Sequence, residues 1–99
     1  MTDEPGIYLA GRFGVRHENT MLIRAAGVTA YPGGQGGRFL CFEPLTMCPY
    51  DKRPIVKEML TREELTWFNH YHATVRETLL PRLQDPKDRE WLISATSPL

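Results

Sequence analysis

Two glutamates, Glu4 and Glu18, stand in a segment whose pattern can bring them face to face. If Ile7 and Tyr8 pair with the run from Gly14 to Glu18 as a hairpin, with Leu9 to Phe13 as the loop, Tyr8 lies opposite Gly14, Gly6 opposite Arg16 and Glu4 opposite Glu18. Directly opposed strand residues hold their β-carbons about 4.5 to 5.5 Å apart, a spacing that repels two carboxylates unless a cation lies between them. A divalent ion, or a pair of them, turns that repulsion into binding. Two metal ions about 3.5 to 4 Å apart polarise a carbonyl and acidify water toward neutrality, and carboxylates are suitable bridging ligands. Taken alone, two glutamates at this spacing also describe an ordinary solvated surface.

The elements that must position this pair can be read from the surrounding residues. From Gly14 to Arg24 the chain alternates, with Val15, His17, Asn19, Met21 and Ile23 on one face and Arg16, Glu18, Thr20, Leu22 and Arg24 on the other. This predicts one strand, with Arg16 and Glu18 sharing a face. Pro32-Gly33-Gly34-Gln35-Gly36-Gly37 predicts a connecting loop with no phosphate-binding signature. Arg38 to Tyr50 is rich in β-formers but carries Pro44 and Pro49, which cannot donate to a ladder, so it predicts an edge or bulged strand. A capping box, Thr61-Arg62-Glu63-Glu64, then opens a helix whose stripe is Leu65, Phe68, His72, Val75 and Leu79 and which Pro81 stops. A second helix is expected from about Lys87 to Ala95, before Pro98. Strands first and helices last predict an α+β fold.

Composition narrows the partners. Twelve basic and twelve acidic side chains balance to zero net charge in 99 residues, and no window gathers the Lys and Arg that a nucleic-acid groove or an anionic membrane requires. No apolar run approaches the roughly 20 residues that span a bilayer, and Met-Thr-Asp-Glu-Pro has no signal-peptide pattern, so neither nucleic acid nor membrane is expected and the location expected is cytoplasmic. Cys41 and Cys48 are expected as free thiols, Cys41 buried.

Asp3-Glu4-Pro5-Gly6-Ile7-Tyr8 and Phe13-Gly14-Val15-Arg16-His17-Glu18-Asn19 resemble the end of the catalytic domain of Xaa-Pro aminopeptidases (aminopeptidase P), pita-bread metallopeptidases related to prolidase, creatinase and methionine aminopeptidase. The runs Phe42-Glu43-Pro44-Leu45-Thr46-Met47-Cys48-Pro49 and Leu60 to His72 resemble the C-terminal extension of the three-domain branch. The resemblance implies a C-terminal fragment of a pita-bread fold, with residues 1–56 ending the metallopeptidase domain and 57–99 forming a helical extension packed on it. It implies that Glu4 is a terminal metal ligand with a catalytic role toward the water, that Glu18 bridges two metals, and that Tyr8 and Arg16 stand behind them beside a ligating Asp. It further implies two divalent ions, manganese by family habit, a peptide with proline at its second position as substrate, and a homodimer.

Two Asp ligands and one His ligand of that family site have no counterpart in this sequence and are expected ahead of Met1, so the chain alone is expected to bind metal weakly or not at all and to be inactive. His17, His70 and His72 do not replace them. His17 stands where the family usually has Ile and faces away from Glu18 in the strand reading, while His70 and His72 are two apart on a helix, about 200° around its axis, and cannot chelate one ion together. Nothing local fixes a partner for Glu43. The competing expectation is a non-catalytic pita-bread remnant that serves as a dimerisation or protein-interaction module.

Overall fold

The computed structural model describes residues 1–26 and 39–99; the glycine-rich loop expected at 32–37 lies outside the described residues. The elements run β1 (Thr2–Asp3), β2 (Gly6–Leu9), β3 (Phe13–Arg16), β4 (Asn19–Ala25), β5 (Leu40–Pro44), α1 (Arg62–Leu79) and α2 (Pro86–Ala95), with short 3₁₀ turns at Lys57–Met59 and Leu80–Arg82. Antiparallel strands precede helices, the α+β order expected of this sequence. Two compact units divide the chain, Met1–Thr46 and Met47–Leu99.

In the first unit, β2 and β3 pair with Gly6 opposite Arg16 and Tyr8 opposite Gly14, the register read from the sequence. The ladder adds Leu9 opposite Phe13, which shortens the expected loop to Ala10-Gly11-Arg12. Gly11 adopts φ 68°, and Arg12 N–H donates to Leu9 O at 2.9 Å, as a three-residue hairpin turn with a left-handed glycine requires. Strand β4 pairs with both β1 and β5 to form a three-stranded sheet. The single strand expected over 14–24 is therefore interrupted at His17 and Glu18. Pro5 supplies the reason: it stands opposite this gap with no N–H to donate, so one ladder bond is missing, while its carbonyl still accepts from His17 N–H at 3.2 Å. Leu22, Ile23, Phe42 and Leu40 are exposed, as is Cys41, expected to be buried; among the described residues of this unit, none shields it from solvent.

In the second unit, Thr61 caps α1 reciprocally: its hydroxyl accepts from Glu64 N–H at 3.2 Å, and the Glu64 carboxylate accepts from Thr61 N–H at 2.8 Å. These hydrogen bonds hold the Glu64 carboxyl below its ordinary pKa. Asp85 caps α2, with Pro86 in the first turn where its missing N–H costs nothing. Of the expected stripe, Phe68, His72 and Val75 are buried and Leu65 and Leu79 half-buried, and Tyr71 joins them. Tyr71, Val75 and Leu92 form a core against which Met47, Tyr50, Leu79, Leu80 and Leu83 pack. The extended segment before α1 is tied down by backbone-directed bonds: Tyr71 Oη donates to Cys48 O at 2.8 Å and Tyr50 N–H to His72 Nε2 at 3.1 Å. Lys52 Nζ donates to Ser97 O at 2.9 Å and Ser94 O at 3.3 Å, a cation on the carbonyls that end α2.

Candidate metal centre

Glu4 follows β1 and Glu18 precedes β4, and the hairpin register determines where they meet. The β2–β3 ladder ends with Gly6 opposite Arg16, and the β1–β4 ladder begins with Asp3 opposite Asn19. Continuing either one into the gap places Glu4 opposite Glu18, so one register runs through both ladders despite the break at Pro5. The opposition expected from sequence is thus a property of the whole hairpin.

A cation does lie between the two acids. Arg16 Nε is 3.2 Å from Glu18 Oε2 and Arg16 Nη1 is 3.8 Å from Glu4 Oε2, so one guanidinium serves both carboxylates. The other oxygen of Glu4, Oε1, accepts a hydrogen bond from Thr2 Oγ1 at 2.8 Å. Thr2 was not singled out from the sequence, although it lies two residues from Glu4 on the same alternating face. All of these side chains are substantially exposed, Glu4 and Glu18 at 49% and 42%, which leaves both carboxylates open to a ligand approaching from solvent.

Tyr8 completes the arrangement. Tyr8, then Glu18, and more weakly Glu4 hold the Arg16 guanidinium above its ordinary pKa, Tyr8 also through a hydrogen bond. The ring reaches this position by lying across glycines. A β-carbon placed on Gly14 would stand 2.7 Å from Tyr8 Cδ1, and one on Gly6 would stand 2.5 Å from Tyr8 Oη. Glu4, Tyr8, Arg16 and Glu18 therefore form one connected cluster, as their sequence positions require.

Chemically, two carboxylates opposed in one hairpin register suit a hard divalent ion, and the one guanidinium that contacts both offsets only one of their two negative charges. The pair is a partial shell. Among the described residues no group of three or more His, Cys, Asp or Glu side chains is placed to hold a metal ion. Of the histidines of the second unit, His72 is fully buried, and His70 is exposed beside Arg62, Glu63, Thr66 and Trp67 in a shallow groove on α1. Glu43, for which the sequence indicated no partner, pairs with Arg24 across β4 and β5.

Comparison with known proteins finds relatives over the whole of this chain. Residues 38–99 match the family described as the C-terminal region of peptidase M24. Aminopeptidase P1 of Lotus japonicus is 41% identical over 99 residues, covering all of this chain and 15% of its own length. Aminopeptidase P1 of Arabidopsis thaliana is 39% identical with the same coverage. Among solved structures, the X-prolyl aminopeptidase of Caenorhabditis elegans, described as a cytosolic enzyme with a di-nuclear active site, superposes at a TM-score of 0.83 with 32% identity, over 99% of this chain and 16% of that one. The chain thus spans about 15% of the length of the curated relatives it matches.

Proposed function

The chain belongs to the family of peptidase M24 C-terminal regions, and we propose that it is the C-terminal part of a dinuclear metalloaminopeptidase that removes an N-terminal residue preceding proline. The observation that carries this reading is the unbroken hairpin register, which opposes Glu4 to Glu18 with Arg16 between them. Glu4 and Glu18 would hold the metals, and Glu4 would also manage the proton of the attacking water. Arg16 and Tyr8 keep the carboxylates at a fixed spacing, and partners of this kind tune affinity or activity by roughly 10 to 100-fold. A metal pair supplies carbonyl polarisation and water acidification. Residues 1–56 end the catalytic domain in this reading, and 57–99 are its helical extension.

The finer assignments belong to the same reading. Manganese suits oxygen donors such as these carboxylates. The substrate is a peptide with proline second, by the activity named for the relatives. A cytoplasmic location follows the description of the nematode enzyme as cytosolic, and no described helix is long and apolar enough to cross a membrane. Homodimerisation is supported by the exposed apolar residues Ile7, Phe13, Leu40 and Phe42 in the strand unit. With two carboxylates and no third ligand among the described residues, the isolated chain should cleave nothing.

The test is a chimera in which this chain replaces the matching segment of the nematode enzyme. It should cleave an Xaa-Pro peptide in the presence of manganese, and Glu4→Gln or Glu18→Gln should each abolish turnover. A chimera whose turnover survives both substitutions would overturn the reading.

A further inference from the structure

We propose that Gly14 is a positioning residue for the carboxylate pair, acting through Tyr8 and Arg16: its missing side chain forms a shelf on which the Tyr8 ring lies, and the ring sets the place of the guanidinium that spaces Glu4 and Glu18. The proposal rests on the reading of those two acids as metal carboxylates for its functional meaning, but its geometry stands on separate observations. Gly14 is the direct cross-strand partner of Tyr8. A β-carbon at Gly14 would lie 2.7 Å from Tyr8 Cδ1 and 3.3 Å from Cε1, with the nearest backbone atom, Ile7 O, at an ordinary 3.7 Å. Nothing but the ring prevents a side chain there, and Gly14 has no positive φ to demand glycine for backbone reasons.

Gly6 is a poorer probe, though it shares the shelf. A β-carbon at Gly6 would lie 2.5 Å from Tyr8 Oη but also 2.9 Å from Val15 O, so substitution there disturbs the backbone as well as the ring. Gly14 isolates the ring contact. A side chain at Gly14 must lift Tyr8 from the sheet, and the phenol then loses its position beside Arg16, which stands two residues along the same strand face. Arg16 links both acids, at 3.2 Å to Glu18 and 3.8 Å to Glu4, so the displacement reaches the pair without any direct contact between Gly14 and either carboxylate.

The dependence on the ring gives the test. Gly14→Ala and Tyr8→Ala are made singly and together in the 99-residue chain, and NMR reads the Arg16 Nε–Hε resonance and the Glu4 and Glu18 carboxyl carbons. In the unsubstituted chain the Gly14 and Gly6 Hα resonances should lie upfield from the ring current of Tyr8, and Tyr8→Ala should remove that shift. Gly14→Ala should move the Arg16 and Glu18 resonances in the parent background and add nothing when Tyr8 is already Ala. Should Gly14→Ala unfold the hairpin, the double variant should restore the β2–β3 cross-strand contacts. Equal perturbation by Gly14→Ala with and without the ring, a hairpin lost in both backgrounds, or glycine Hα shifts indifferent to Tyr8→Ala would overturn the proposal. The chimera with the nematode enzyme separates the two readings: turnover that survives Glu4→Gln and Glu18→Gln would count against the metal assignment and leave the shelf intact.

Discussion

The two units of this chain divide chemistry from stability. Met1–Thr46 holds Glu4, Tyr8, Arg16 and Glu18, yet its one fully shielded residue among those described is Asn19, and Ile7, Leu9, Phe13, Leu22, Leu40 and Phe42 stand open to solvent. Met47–Leu99 contains every buried hydrophobic residue among those described: Phe68, Tyr71, Val75 and Leu92. The lesson is that opposing two carboxylates needs backbone register more than a core. Register is set locally, by a tight turn and a pattern of glycines and a proline, whereas burial has to be collected from several elements.

The sharpest way to break this contrast is to remove core atoms from one unit and surface atoms from the other. Leu92→Ala should destabilise the helical unit by about 2 to 5 kcal/mol, the range for a fully buried leucine, while Ile7→Ala, at an exposed position, should change stability by no more than about 0.5 kcal/mol. Chemical denaturation checks both, with the fluorescence of Trp67 and Trp91 following the helical unit and the amide resonances of β2 and β3 following the strand unit. Similar effects from the two variants would mean that the strand unit is stabilised in a way its exposure does not reveal.

Acid should separate the units next. Burial, then the charges of Lys52 and Arg76, hold the His72 imidazole below its ordinary pKa, and the Tyr50 N–H that donates to His72 Nε2 requires an unprotonated nitrogen. The unfolded chain therefore binds this proton more readily than the folded one. Stability contributed by the neutral imidazole is fully present above the unfolded value of about 6.5 and is lost as pH falls below it toward the lowered folded value. Thermal melts from pH 8 to 5 should show the helical unit weakening by this one-proton dependence, and His72→Gln should flatten it. A pH-independent melt in the parent chain would contradict the assignment.

The balance of what the sequence made legible follows the same division. The hairpin register, with Tyr8 opposite Gly14 and Gly6 opposite Arg16, was readable because alternation and a glycine turn fix it between Gly6 and Arg16. The α1 capping box and stripe were readable for similar reasons. The break at Pro5 was not read, since alternation continues through His17 and Glu18 even where the ladder bond is missing. Nor was the hydroxyl of Thr2 on Glu4, or the Tyr8 ring over Gly14: side-chain direction across strands is a matter of rotamers, which a periodicity does not carry. His72 could be placed on the buried stripe, but its bond to Tyr50 joins residues 22 apart and depends on tertiary packing.

A smaller effect tests the local end of the helical unit. Thr61→Ala removes the side-chain half of the capping box and should cost about 0.5 to 2 kcal/mol, with faster amide exchange confined to the first turn of α1. Smallest of all should be Arg24→Ala, which removes an exposed pair with Glu43 on the strand unit; its melting temperature should match the parent's in moderate salt. A marked loss there would show that the strand unit relies on ion pairs where the helical unit relies on burial.

The most direct test of the central claim, that the hairpin register makes Glu4 and Glu18 a metal-binding pair, is manganese titration of the 99-residue chain followed by paramagnetic broadening in NMR. Weak binding should broaden Gly6, Tyr8, Arg16 and the two glutamates first, and Glu18→Gln should abolish that selectivity. Broadening spread evenly over exposed acids such as Asp85 and Asp88, or unchanged by Glu18→Gln, would contradict it.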